Sequence, residues 1–355
     1  MYGCRDLALS PHGEYWRQMR KICVTQLLSL NRVHSFHSLR EEEVMGWIEK
    51  IRRASLDSAP INLGDLFVHL SSNIISRCTL GRKYEGQDNI RRFGELASHD
   101  GDGYHSRQYQ SNFTGFFLSS VSVLLPSPFP SLSLLTRCIF CAFKLQDMLL
   151  AGTDSISSIM EWAMAELMKN STTMQKAQEE VRTVVGAKSR IDQDDIDQMD
   201  YLKCVVKETL RLHPPAPFLI PRESTESAKL GGYDIPPKTR VLINAWAIQR
   251  DPDLWDRPEE FLPDRFANLP VDFKGQDFQF IPFGAGRRGC PGISLSVIEV
   301  EYVLANLLFW FDWKLPGGVG KDLDMISDTF GLVVRKKVVL ELVPVVHSPD
   351  LSSNL

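Results

Sequence analysis

The sequence predicts a mainly α fold with small β-sheets, organised as one domain over residues 1–355. Three observations predict it. Apolar residues recur at helical spacing along most of the chain. Strand-like runs are short, bounded by Pro and Gly, and confined to the region after Leu212. No linker divides the 355 residues, of which 43% are apolar, so the chain can bury one large core.

Taken in order, Glu14 to Leu30, Arg32 to Ser55 and Leu63 to Leu80 carry helical spacing, with Gly, Pro and Asp between them. Asn112 to Phe143 is anomalous: Phe, Leu, Ser and Pro dominate it, and Pro126, Pro128 and Pro130 break any helix. Those four residue types have pyrimidine-rich codons, so translated non-coding sequence is one expectation for this stretch. Helical spacing returns over Gln146 to Lys169, Ser171 to Val185 and Asp200 to Leu212, and His213-Pro214-Pro215-Ala216-Pro217 stops it. Gly231 to Pro237 marks a turn between short strands, and Arg240 to Asn244 reads as a strand. A loop rich in Asp, Pro and Phe leads to a last helix from Ile293 to about Phe309, and Thr329 to Val345 alternates like a hairpin. There is no internal repeat.

Composition narrows the function. The net charge of -4, with both signs interspersed, leaves no basic stripe and argues against nucleic acid as a partner. Cys4, Cys23, Cys78, Cys138, Cys141, Cys204 and Cys290 are odd in number and scattered, which reads as reduced thiols in a cytosol-facing protein. Cys138 and Cys141 form the one close pair, and with no second pair they read as small apolar residues. No run reaches the ~18 apolar residues of a membrane span, and Met1 to Asp6 has no signal-peptide pattern, so the sequence alone reads as soluble.

The most informative stretch is Phe283-Gly284-Ala285-Gly286-Arg287-Arg288-Gly289-Cys290-Pro291-Gly292. It offers one cysteine from a glycine-rich loop that can approach a flat ligand closely and that opens into an apolar helix. The free amides and positive end of that helix favour Cys290 as an anion. One sulfur cannot complete a zinc site or an iron–sulfur cluster, but it can be the axial ligand of a haem. Phe283, Gly286, Arg288, Cys290 and Gly292 are spaced as in the haem-binding signature of the cytochrome P450 monooxygenases, which the stretch resembles. A rival reading takes Gly284-x-Gly286-x-x-Gly289 as a dinucleotide fingerprint, with Phe278 to Ile281 as the strand before it. That reading lacks the acidic residue expected at the end of the next strand, since Asp312 comes at its start, and Pro291 interrupts the helix entry.

Other motifs extend the resemblance. Glu208 and Arg211 lie three apart on one helix face and match the family's Glu-x-x-Arg, with Arg265 as the implied third member of a cluster that supports the cysteine loop. Gly152, Asp154 and Ser155 match positions where the family leaves room for dioxygen and guides protons to it; serine stands where threonine is usual, and Ile156 where a second hydroxyl is common. Trp16 and Arg20, four apart, together with Arg222 and Arg288, match positions that hold the haem propionates. Ala216, Phe218, Leu219, Ile220, Phe330 and Leu332 fall in segments that contact substrate in the family. His213 resembles the family's Leu-His-Pro-Pro, where it closes a helix and is not an iron ligand.

The resemblance is to plant microsomal P450s of the A-type, specialised-metabolism group. It implies a P450 fold, incomplete here, with the amino-terminal anchor and first sheet missing and the region before Gly152 shortened. It also implies haem b with Cys290 as axial thiolate, NADPH-cytochrome P450 reductase as electron donor, and one oxygen atom of dioxygen inserted into a small lipophilic metabolite such as a terpenoid, alkaloid or phenolic. The implied location is the cytosolic face of the endoplasmic reticulum, through an anchor this chain does not carry. The alternative is a shortened, catalytically inactive P450 product or a mispredicted gene model.

Overall fold

The computed structural model describes residues 6–81, 83, 132–317, 323–327 and 331–347, with residues 80 and 132–146 described by backbone alone. Pro126, Pro128, Pro130, Thr329, Phe330 and Cys4 lie outside the described residues, and so does most of the anomalous 112–143 stretch.

Helix α1 (Glu14–Ile22) buries Trp16 and Met19 and runs on into a π-turn, Cys23–Leu27. The single helix expected to Leu30 therefore breaks. The wider turn ends it, and Ser29 is extended before α2 (Leu30–Ser35). Phe36 separates α2 from α3 (His37–Leu56), so the second expected helix is two. After β1 (Ile61–Asn62) comes α4 (Leu63–Leu80), whose first turn is capped by the Asn62 side chain accepting from the Asp65 N–H at 3.0 Å. Gly81, at φ 73°, closes it.

The central element is α5 (Leu132–Lys169), 38 residues long and starting well before the Gln146 that spacing suggests. From Ile156 to Leu167 every residue of it is buried. Helix α4 packs along it at close range: a Cβ on Gly152 would lie 3.0 Å from Cδ1 of Ile75. Helices α6 (Ser171–Val185), α7 (Gln193–Asp197) and α8 (Asp200–Leu212) follow, α7 being a short turn that the sequence reading did not foresee. Later come α9 (Ala245–Ile248), α10 (Arg265–Asn268) and α11 (Ile293–Trp310). Helix α11 is long and apolar enough to cross a membrane by composition, but 72% of it is buried by the rest of the chain, as suits a core helix.

Two charged side chains inside this core stand out. Arg40 of α3 and Glu299 of α11 are both 0% exposed. None of the three Arg40 nitrogens and neither Glu299 oxygen has a hydrogen-bond partner among the described residues. Burial pushes the Glu299 carboxyl up to about 7, against the smaller pull of Ser71 and Arg40.

Strands are short, as expected. β7 (Glu341–Val346) lies between β1 and β6 (Phe311–Lys314), antiparallel to both, with Leu342 opposite Ile61 and Val346 opposite Phe311. The carboxy-terminal tail therefore pairs with distant strands and not chiefly with itself; one antiparallel bridge, Ser327 to Lys336, is local to it. β3 (Ala228–Leu230) and β4 (Tyr233–Ile235) form the expected hairpin around Gly231-Gly232. β5 is Arg240–Val241 alone, paired with β2 (Arg222–Glu223), so the strand expected to Asn244 stops early. Phe278 to Ile281 is not a strand. Its Phe280 is fully buried and anchors a series of turns. With no strand ahead of Gly284, the dinucleotide reading fails. Cys23, Cys78 and Cys204 are buried, as expected, and outside any disulfide among the described residues.

Candidate functional site

The cysteine loop is built from tight turns that need its glycines. Gly284 (φ 69°) and Gly286 (φ 68°) occupy the left-handed region. Residues 286–288 form one 3₁₀ turn, closed by Gly289 N–H donating to Gly286 O at 3.1 Å, and the Cys290 N–H donates to Phe283 O at 2.8 Å. Phe283 packs edge-on to Phe273 at 5.4 Å, fixing the start of the loop. Gly292, the N-cap of α11, donates its N–H to Cys290 Sγ at 3.3 Å. Cys290 is exposed. Burial raises the Cys290 thiol above its ordinary value, and the Gly292 N–H and the Arg20 charge pull less strongly the other way. The expectation that helix amides alone favour the anion is thus corrected, because desolvation outweighs them. A coordinated metal ion deprotonates such a thiol outright.

Beneath the loop, Glu208 of α8 holds two arginines. Arg211 meets it with paired bonds, Nε to Oε2 at 2.8 Å and Nη2 to Oε1 at 2.9 Å, and Arg265 Nε reaches Oε1 at 3.0 Å. Glu208 Oε1 also accepts from the Leu262 N–H at 2.8 Å. Glu208 and Arg211 are 0% exposed, and Arg211 binds three further carbonyls, those of Gln249, Pro258 and Glu260. The sequence reading missed Gln249. Fully buried, it donates to Leu210 O and Arg211 O and accepts from the Ile281 N–H at 3.1 Å, tying the end of α8 to the chain just before Phe283.

Arg20, Arg222 and Arg288 converge beside the cysteine loop. Arg20 Nη2 donates to Gly289 O at 2.8 Å, Arg222 Nη1 to Ala8 O at 2.9 Å, and Arg288 Nη2 to Ser10 O at 2.7 Å. Trp16 lies under Arg288, 4.4 Å from ring centre to guanidinium, and its indole N–H donates to Leu7 O at 3.1 Å. Burial, and then mutual repulsion, lowers the pKa of Arg222 and of Arg288. Among the described residues no carboxylate lies within ion-pair distance of the three.

On α5, Asp154 pairs with Arg335 of the tail, and burial raises its pKa against that arginine's pull. Ser155 donates to Ala151 O at 2.5 Å, so the two candidate proton carriers do not bond to each other. The space at Gly152 that a Cβ would take belongs to the contact with Ile75. Ser158 donates to Val334 O at 2.7 Å, and the Val334 N–H donates to Pro215 O at 2.8 Å, one residue outside each of the two segments expected to contact substrate. Leu219 (φ 49°) reaches within 3.8 Å of where a Cβ on Gly284 would lie, its N–H bonded to Ala216 O. Phe218 and Leu332 are about half exposed, Ile220 is half-buried, and Phe330 lies outside the described residues. His213 is occupied elsewhere: its ring stacks on Trp162 at 4.0 Å and its Nε2 lies 2.8 Å from Glu166 Oε1.

The residues present fit the group that the resemblance implies. Three clustered guanidiniums without a carboxylate suit a ligand bearing two, and one exposed cysteine beside them suits its metal. No group of three or more metal-ligating side chains occurs among the described residues.

Comparison with known proteins agrees. The family model described as Cytochrome P450 matches residues 2–133 and 142–340. The chain is 45% identical to phenylacetaldehyde oxime monooxygenase CYP71AN24 of Prunus mume over 395 aligned positions, covering 98% of this chain and 75% of that protein. It is 46% identical to Cytochrome P450 71A1 of Persea americana, covering 98% and 78%, and 38% identical to germacrene A hydroxylase of Barnadesia spinosa, covering 98% and 77%. Similarity of this extent, over a fold that draws widely separated motifs together, admits one conclusion: the chain belongs to the cytochrome P450 monooxygenases.

Proposed function

We propose that this chain binds haem b through Cys290 and hydroxylates a small lipophilic plant metabolite. The proposal includes NADPH-cytochrome P450 reductase as electron donor and the cytosolic face of the endoplasmic reticulum as the site of action. The observation that carries it is the exposed Cys290 beside three arginines that, among the described residues, have no carboxylate partner. When bound, the haem supplies the activation of dioxygen, one atom entering a substrate C–H bond as hydroxyl and the other leaving as water, with two electrons from NADPH.

The chain's own residues do the rest. Cys290 is the iron ligand, steadied by the Gly292 N–H, and Glu208, Arg211, Arg265 and Gln249 keep its loop in place. Arg20, Arg222 and Arg288 supply donors for the propionates, with the Trp16 ring supporting Arg288. Asp154, whose pKa burial has raised, holds a proton more readily than an exposed aspartate, and the Ser155 hydroxyl one residue on can pass one to the reacting oxygen. Leu219, Phe218, Ile220, Ala216 and Leu332 offer apolar surface to an apolar substrate. Relatives named for phenylacetaldehyde oxime and for germacrene A support a small, largely apolar substrate class.

The test is the carbon monoxide difference spectrum of the reduced, haem-loaded chain. A far-red Soret band that Cys290→Ala abolishes is expected; no haem uptake, or a band indifferent to the substitution, refutes the proposal. A second reading, haem binding without turnover, is favoured by one observation. The 395-position alignment is longer than the 355-residue chain, so the Prunus relative has interior positions with no counterpart here. NADPH consumption with reductase and either named substrate separates the two.

A further inference from the structure

Residues 6–10 form a strap that touches four elements through its backbone. The Leu7 peptide is gripped on both sides: its N–H donates to Asp147 Oδ2 of α5 at 2.8 Å, and its carbonyl accepts from the Trp16 indole at 3.1 Å. The next carbonyls, Ala8 O and Ser10 O, take the guanidinium bonds of Arg222 and Arg288. Asp6 is engaged within the strap, accepting from the Leu9 N–H at 2.6 Å.

Asp147 has no part in the chemistry described above, and its position is unfavourable for an acid. It sits inside a long helix ahead of Met148-Leu149-Leu150, where aspartate has low propensity. Burial pushes its carboxyl up to about 7, against the pull of the Leu7 N–H. At positions i, i+4 and i+8 it shares a face of α5 with Ala151 and Ser155, so the strap crosses α5 on the side that carries the candidate proton carrier.

We propose that Asp147 is a positioning residue: its carboxylate holds the Leu7 peptide so that the strap, and the carbonyls that aim Arg222 and Arg288, stay fixed across α5. The reading of those arginines as propionate donors bears only on the second of two readouts.

The first readout is hydrogen exchange at the Leu7 amide in the full chain without added haem. Asp147→Leu removes the acceptor and is expected to speed exchange roughly tenfold, the size of one good hydrogen bond. Asp147→Asn keeps an acceptor oxygen and is expected to restore most of the protection. Exchange in Asp147→Leu within about twofold of the wild type, or equal loss in both variants, would overturn the proposal, since either change lies below what one such bond contributes. The second readout is the rate of haem transfer to apomyoglobin from the loaded proteins, expected to rise in Asp147→Leu and not in Asp147→Asn. Faster exchange with unchanged haem transfer would overturn the link from strap to arginines. Failure of all three proteins to take up haem would instead count against the haem-binding reading, leaving the exchange result to decide the latch.

Discussion

Removing the Glu208 carboxylate tests the cluster beneath the cysteine loop most directly. In Glu208→Ala, Arg211 keeps its bonds to the carbonyls of Gln249, Pro258 and Glu260, and Arg265 keeps Asp256 O and Arg257 O. What disappears is the countercharge for both guanidiniums, one of them 0% exposed, and the acceptor for the Leu262 N–H. An uncompensated buried charge costs ~3–5 kcal/mol, a large part of the ~5–15 kcal/mol that typically separates folded from unfolded chains. Thermal unfolding followed by circular dichroism should show a fall of about 4–7 °C for a chain of this length. Glu208→Gln, which keeps an oxygen for Leu262 and Arg265 but no charge, should lose less. The pair Glu208→Leu with Arg211→Met should recover part of the loss, because it removes both charges together. If Glu208→Ala stays within ~1 kcal/mol of the wild type, the three carbonyls suffice for Arg211 and the countercharge argument is wrong.

Three further outcomes are expected. Gly152→Ala brings a Cβ to 3.0 Å from Ile75 Cδ1 and should cost ~1–3 kcal/mol by overpacking, which Ile75→Val relieves by deleting that atom; a melting temperature that Ile75→Val does not raise would point to a different role for the glycine. Ser155→Thr restores the branch methyl that limits rotation of the hydroxyl now bonded to Ala151 O, so hydrogen peroxide released per product should fall, and equal ratios in the two proteins would refute the argument. Glu299, held at about 7 against an ordinary 4.5, keeps its proton in the folded state while the unfolded state has lost it. Wild-type stability therefore declines between those values as pH rises, and Glu299→Gln should gain on the wild type by ~3 kcal/mol from pH 4.5 to pH 8. Chemical denaturation at both pH values reads this, and a difference independent of pH would contradict it.

What was legible in the sequence had local signatures. Cys290 among its glycines, Glu208 and Arg211 one helical turn apart, and His213 ahead of two prolines are fixed by spacing along a few residues, and each lies where that spacing put it. Partners drawn from far along the chain were not legible. Arg335 meets Asp154 across 181 residues, and nothing in its own surroundings marks it. Gln249 works through backbone groups on two other segments, and the 6–10 strap works through carbonyls, which every residue has. The apolar run Phe278 to Ile281 misled because buried turns and buried strands can share a composition. The protonation of Cys290 misled because helix amides are visible in a sequence and desolvation is not.

The seam between α5 and the carboxy-terminal tail sets a schedule for biosynthesis. Asp154 to Arg335, Ser158 to Val334 and Glu161 to the Leu340 N–H link positions 181, 176 and 179 residues apart. At ~5–20 residues per second a ribosome needs roughly ten to forty seconds to pass from one side of that seam to the other. Throughout that interval the nascent central helix exists without the partners of Asp154 and Glu161, and the strand that joins β1 to β6 has not been made. Native pairing of the two sides is thus deferred until residues 334–340 have been made, and until then the helix face that they cover is left open.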